Sequence, residues 1–436
     1  MPAQTAEPEK RSGAAPVGPA RFATTNGWKF CFLSLQMLLL LAVLRLYQIE
    51  DATFDKVVLI TFAAFAIHYW LPFRFKELFL VAVSLGSALY LLGLQNGILL
   101  IGVGLLFFGV LRLPIGFRWR ALIIACIFAI LIYGNAERQL PGGFPAVFGG
   151  IFMFRIMIYM YDLKYSKQPA RFIPYLSYFF ILPNYCFTLF PVIDFTTMRR
   201  SYFQRDIHTV AQQGIQWILR GAIQLALYRV IFYYNDRFIP DRITSIWSLM
   251  ATMILTFVMI VRISGQFHIA IGMMHLFGYD LPEAFRRYFL ATSFTDFWRR
   301  ANIYWKDLMV KIFYYPVFFS LRKRGTIFAQ VVGTIFVFIV TWALHAYQSF
   351  WLAGHLGIRW TDTIFWTLLG ALVLGSMLWE NWVGARPKRI TGWRGVCLQA
   401  ASMVGTFATM TFLWFLWSAP SLGRWWFLMT CWKGGR

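Results

Sequence analysis

The chain reads as an all-α polytopic membrane protein, and three observations carry that reading. Hydrophobic residues make up 59% of its 436 residues and charged residues only 14%, against about a quarter charged in a soluble domain. Apolar stretches near the roughly 20 residues that a bilayer-crossing helix needs recur along almost the whole length. Basic residues gather in every second connection between them, which is the positive-inside pattern. The 19 Trp and 20 Tyr suit a protein with many lipid–water boundaries.

The net charge of +23 follows from those connections. Nucleic-acid binding needs solvated basic faces, whereas here the Lys and Arg residues lie between apolar segments and face lipid headgroups. No nucleic-acid partner is expected. Cys31, Cys126, Cys186, Cys397 and Cys431 are scattered, odd in number and without a CxxC pair, so neither a disulfide framework nor a zinc site is expected.

Residues 1–26 are rich in Ala, Pro, Gly and Thr and are expected to form a disordered tail; residues 27–436 form one membrane-embedded domain. The first apolar run is too long for a signal-peptide core and reads as a span. Spans are predicted near 28–47, 57–71, 77–94, 97–113, 119–134 and 147–161. The first connection carries Glu50, Asp51 and Asp55. Arg74 and Lys76, then Arg112, Arg118 and Arg120, then Lys164, Lys167 and Arg171 occupy alternate ones. That order puts the N-terminus in the cytoplasm of a cell with the chain in its inner membrane.

Pro174, Pro183 and Pro191 crowd the stretch 172–193, and proline at that density breaks helices. Broken backbone at membrane depth persists only inside protein or beside a water-filled cavity, so short or re-entrant helices are predicted there. Further spans are predicted near 210–234 and 244–262, with an apolar helix from 264 to 278. Residues 286–324 are basic and aromatic, too charged to cross lipid in the open; they should lie at the cytoplasmic face or dip into it. Spans near 326–348, 363–380 and 395–418 follow, with Arg386, Lys388 and Arg389 again in a cytoplasmic connection. The run 425–432 is too short to span and should lie at an interface. Altogether about 10–13 transmembrane helices are expected, besides re-entrant and interfacial ones.

Two stretches carry chemistry. The first is 293–316, SFTDFWRRANIYWKDLMVKIFYYP. It sets Trp298, Arg299, Arg300, Asn302 and Lys306 beside apolar surface. Forked guanidinium donors there suit phosphate or carboxylate, and positive-inside anchoring explains the same arginines. The second is 341–354, TWALHAYQSFWLAG, near the end of a long span. His345 is an ionisable residue in an apolar helix, which defaults to a functional role; a structural histidine tied to a backbone carbonyl fits the residues equally. No metal site is expected. His268 and His275 stand about 11 Å apart along one helix face, too far to share an ion, and no HxxH or HxxxH pair occurs. GxSxG and Walker glycine motifs are also absent from the sequence.

The stretch 293–316 resembles the membrane-bound O-acyltransferase family (MBOAT). The resemblance is strongest to its bacterial branch of alginate O-acetylation subunits and teichoic-acid D-alanyl transfer proteins. Ser293, Phe294, Phe297, Trp298, Arg299, Arg300, Ile303, Tyr314 and Pro316 match a pattern close to S-F-x-x-F-W-R-R-W-H-I with a later Y-x-P. Upstream, Ser264, Gly265, Ala270, Ile271, Gly272, Gly278 and Pro282 match its glycine segment, and His345 falls where the family places its invariant histidine. The chain departs in having Ala301-Asn302 for Trp-His, Leu344-His345-Ala346 for W-H-G, and His268 for an Asp.

The resemblance implies the MBOAT fold and acyl transfer from a cytoplasmic thioester to a hydroxyl. The donor would be acyl-CoA or an acyl carrier protein, a co-substrate rather than a bound cofactor. His345 would be the general base, and Asn302 would hold the carbonyl oxygen or orient a reactant. Trp298, Arg299, Arg300 and Lys306 would bind substrate, the cations taking the donor's phosphates. The acceptor would be an extracytoplasmic glycan receiving a short acyl group such as acetyl, which is polysaccharide O-acetylation. Acylation of a lipid or sterol-like hydroxyl is the alternative that Asn302 favours, and a non-catalytic acyl or lipid transporter is the third. With no hydrolase-like domain fused to the chain, any second transfer step implies a periplasmic partner besides the membrane lipids.

Overall fold

The computed structural model describes residues 23–165, 171–187, 191–237, 243–383 and 392–433. These form an all-α assembly, and among them nine helical stretches are long and apolar enough to cross a membrane. The predicted connection with Arg386, Lys388 and Arg389 lies outside the described residues, as does the tail up to residue 22.

Five helices open the chain: α1 (Gly27–Leu46), α2 (Ala52–Trp70), α3 (Phe73–Leu91), α4 (Leu94–Arg112) and α5 (Phe117–Ala136). Asn26, assigned to the tail by composition, caps α1, its side chain accepting from Lys29 N. It also exchanges two backbone hydrogen bonds with the Tyr69 hydroxyl, at 2.7 and 2.9 Å. Lys76 is buried and closes the tight α2–α3 turn by donating to the carbonyls of His68 and Tyr69. Its ammonium meets the negative end of the α2 dipole.

The sixth predicted span is α6 (Gly143–Val147), a π-turn at Phe148–Phe152, and α7 (Met153–Tyr165). It is the most enclosed span, 82% buried. A Cβ on Gly149 would sit 1.9 Å from the Trp351 ring, so the glycine is what lets that indole, 2% exposed, close against the helix.

The proline-rich stretch is broken as expected, into α8 (Phe172–Phe179), a 3₁₀ turn at Leu182–Tyr185, and α9 (Phe195–Ser201). Side chains from neighbouring helices satisfy its polar groups. Arg155 of α7, fully buried, donates to the carbonyls of Tyr178 and Phe179 and to Asn184 Oδ1. Glu77 of α3 accepts from Ser177 and Arg199.

Then come α10 (Ile207–Arg237), α11 (Ile246–Val258) and α12 (Val261–Leu276). α10 and α12 meet through glycines: a Cβ on Gly214 would lie 2.7 Å from the Gly272 carbonyl, and one on Gly221 2.5 Å from that of Gly265. Two glycine pairs, spaced seven residues apart on each helix, bring the backbones together.

After α12 the chain turns back along that same helix. Asp280 faces His275 at 3.7 Å and Glu283 faces His268 at 3.9 Å. Tyr288 Oη lies 3.2 Å from Ser264 Oγ. The sequence gave no sign of this extended return.

The basic segment forms α13 (Phe294–Arg300), α14 (Ile303–Met309), a π-turn at Val310–Tyr314, and α15 (Tyr315–Leu321). Pro316 has no N–H to offer the Ile312 carbonyl, and the helix widens into the π-turn just there. The segment dips into the protein instead of lying on its face. It packs along α16 (Thr326–Ala353), with Trp298 against Phe338, Trp305 against His345, and Tyr314 against Gly333. Two further spans, α17 (Trp360–Val383) and α18 (Trp393–Ser418), and the short α19 (Leu422–Thr430) complete the chain.

Candidate functional site

His345 stands on α16, roughly 28 Å from its first residue and about 12 Å from its last. Its Nδ1 lies 2.8 Å from the Thr341 carbonyl. A carbonyl only accepts, so Nδ1 carries the proton and Nε2 keeps its lone pair. The bond to backbone expected of a structural histidine is therefore present, and it also fixes the tautomer that a base requires. Two indoles hold the ring: Trp305 edge-on at 5.1 Å and Trp366 at 4.7 Å between centroids. Both indoles are 8% exposed, while His345 itself is partly open.

Asn302 sits at the turn between α13 and α14, with φ 45° and ψ 61°. Asn is among the few residues that tolerate this left-handed geometry. Its Oδ1 caps α14 by accepting from Trp305 N at 3.3 Å. The turn is fastened to the returning segment on both sides: Arg286 N donates to Arg300 O at 2.9 Å, and Ile303 N to Ala284 O at 2.8 Å. Asn302 thus fixes the start of the helix whose Trp305 packs on His345. Its Nδ2 makes no hydrogen bond among the described residues.

Trp298 packs on Phe338 at 4.8 Å. The three cations expected to meet phosphates are each paired with a carboxylate. Arg299 lies 3.3 Å from Glu380 of α17, Arg300 2.7 Å from Asp296, and Lys306 2.5 Å from Asp307. The structure thus joins Asn302 to His345 through Trp305 and sets Arg299 and Arg300 on α13 against carboxylates. Neither of the two cavities among the described residues has His345 on its walls.

Two groups near the site escaped the sequence reading. Lys311, on the π-turn, bridges Asp162 of α7 at 2.5 Å and Asp194, the α9 cap, at 3.2 Å. Beside them lies a small cavity of about 60 Å³, also lined by Tyr304 and Asp307. Arg155 and Asp162, both inside an apolar span, were the available signal, since charges there are rarely idle. The second group is Asp362 on the first turn of α17. It takes Arg359 in a fork at 2.9 and 3.1 Å and the Trp417 indole N–H at 2.6 Å. Trp417 in turn lies 6.0 Å from Trp366, the neighbour of His345. Nothing in the local sequence pattern singled out Asp362.

No cluster of three or more His, Cys, Asp or Glu side chains suited to a metal ion occurs among the described residues. His268 and His275 face different carboxylates. No protein-family model matches the chain, and no curated protein matches it either.

Proposed function

We propose that the protein transfers an acyl group from a thioester donor to a hydroxyl acceptor, with His345 as general base. The observation that carries this is the state of the imidazole. The proton on Nδ1 is committed to the Thr341 carbonyl, leaving the Nε2 lone pair on a partly open ring within a membrane helix. A hydroxyl hydrogen-bonded to Nε2 would give up its proton as its oxygen attacks the thioester carbonyl, and the thiolate would leave with that proton. Asn302 Nδ2 supplies an uncommitted donor for the developing oxyanion, while Trp305 keeps the Asn302 turn against His345. Arg299, 44% exposed, is the cation most open to a donor phosphate. Basic connections on the N-terminal side support a cytoplasmic donor, and the acceptor we favour is an extracytoplasmic glycan.

The test is purified protein in lipid nanodiscs with labelled acyl-CoA, wild type beside His345→Ala. The expected result is a fall of about 10² to 10⁴ in acyl transfer with unchanged thermal stability. Equal thioester turnover in both proteins would refute the assignment. Identifying the acylated product then separates a glycan from a lipid acceptor.

A further inference from the structure

The largest cavity described, about 720 Å³, is nowhere near His345 in the chain: it lies between the first halves of α1 and α10. Its volume is that of a ligand site and not of a packing fault. Trp28, Phe32 and Trp217 give it aromatic walls, while Lys29, Asp206 and Gln216 give it polar ones.

The frame around it is fixed. Gln212 and Gln36 exchange hydrogen bonds at 2.8 and 2.9 Å between the two helices. Gln213 accepts from Arg205 at 2.6 Å, and Arg220 is paired with Glu283 at 3.0 Å. Two opposite charges are left with spare capacity. Lys29 has no carboxylate within ion-pair distance among the described residues. Asp206 uses Oδ2 to accept from Thr209 at 3.2 Å, and its Oδ1 makes no hydrogen bond among them. Lys29 and Asp206 line one cleft without pairing to each other.

A ligand that suits this cleft carries an anion and a cation a short distance apart and brings apolar chains with it. The chains have a path. Trp28 at the lip is 82% exposed, and Phe32, Leu35 and Leu39 continue from it along the open face of α1, each more than half exposed. An exposed Trp at a helix start is the usual mark of the headgroup layer.

We infer that this cleft binds a phospholipid with a zwitterionic, primary-amine headgroup, its phosphate at Lys29 and its ammonium at Asp206. The site also touches the core of the protein. Arg220 on its wall holds Glu283, whose neighbour Ala284 anchors Ile303 at the start of α14. A bound headgroup thereby braces the return segment on which the α13–α14 turn is fastened.

Native mass spectrometry of the whole protein, released from detergent and titrated with phosphatidylethanolamine, phosphatidylcholine and phosphatidylglycerol of identical chains, tests this. Phosphatidylethanolamine should bind most tightly. Lys29→Ala, at an exposed position, should weaken it about tenfold, as should Asp206→Asn, which keeps an oxygen to cap α10. Phosphatidylglycerol binding as tightly as phosphatidylethanolamine would overturn the headgroup assignment, as would unchanged affinity in Lys29→Ala. Inorganic phosphate that displaces the lipid at millimolar level would show a soluble phosphate site instead, and would likewise overturn it.

Discussion

Lys311 shows how one side chain is set in the membrane core. Its ammonium is shared by Asp162, whose side chain is 7% exposed, and by Asp194. Removing it would leave Asp162 as an uncompensated buried charge, a cost of about 3–5 kcal/mol. Lys311→Met should therefore lower the thermal unfolding temperature in detergent markedly, and Lys311→Arg much less. A melting curve that Lys311→Met leaves in place would show that the carboxylates have other means of support. Asn302 teaches the complementary lesson. The residue type pointed equally to catalysis and to capping, and the structure puts its Oδ1 in the cap while Nδ2 stays uncommitted. His345 was picked out because ionisable groups in apolar helices are rare. Its tautomer and its two indole neighbours depend on Thr341, Trp305 and Trp366. Trp305 lies forty residues away in sequence and Trp366 lies on another helix, so no local pattern could reveal them.

At the scale of elements, the α10–α12 pair rests on four glycines. Gly272→Leu would drive a side chain into the Gly214 carbonyl, where even a Cβ would stand 2.6 Å away. Neither helix backbone can yield without parting the pair, so overpacking should cost at least about 1–3 kcal/mol. The expected outcome is loss of the monodisperse peak in fluorescence-detected size exclusion, while Gly102→Leu, where a Cβ meets nothing within 4 Å, should leave the peak intact. Helix existence was readable for each long apolar stretch, because length and hydropathy are local properties. The breaks at Pro174, Pro183 and Pro316 were readable for the same reason. The return of the chain along α12 was not. Its polar atoms are met by His268, His275 and Ser264, three residues whose sequence reading offered only a helix face.

For the whole molecule, several contacts gather Asn26, Tyr69, Lys76, Phe203, Arg205, His208, Gly278 and Asp280 at one end. Glu50, paired with Arg262 at 3.2 Å, and Tyr47, held by Arg229, mark the other. α1 and α10 therefore run the same way and α12 runs back. Introduced cysteines test the resulting sidedness. In a background with the native thiols replaced, Arg118→Cys and Gln139→Cys flank α5, a helix of 20 residues and about 30 Å. An impermeant maleimide should label them from opposite faces of sealed vesicles; labelling of both from one face would mean that α5 does not cross. α3 and α10 have spanning length but not the uniform apolarity of the other spans. Glu77 on the one, and Gln212, Gln213 and Arg220 on the other, are occupied by partners inside the protein or line its largest cleft.

What the sequence determined by itself was everything that follows from burying a chain in lipid: an all-α architecture, the places where spans begin and end, and the charged stretch that must find shelter. Those features are fixed residue by residue through hydropathy, charge and proline. Tertiary structure alone decided which charges meet, that the basic segment folds inward beside α16, and which ring atom of His345 keeps its lone pair. Such outcomes depend on contacts between residues far apart in the chain, and a linear pattern carries no record of the distance that closes them.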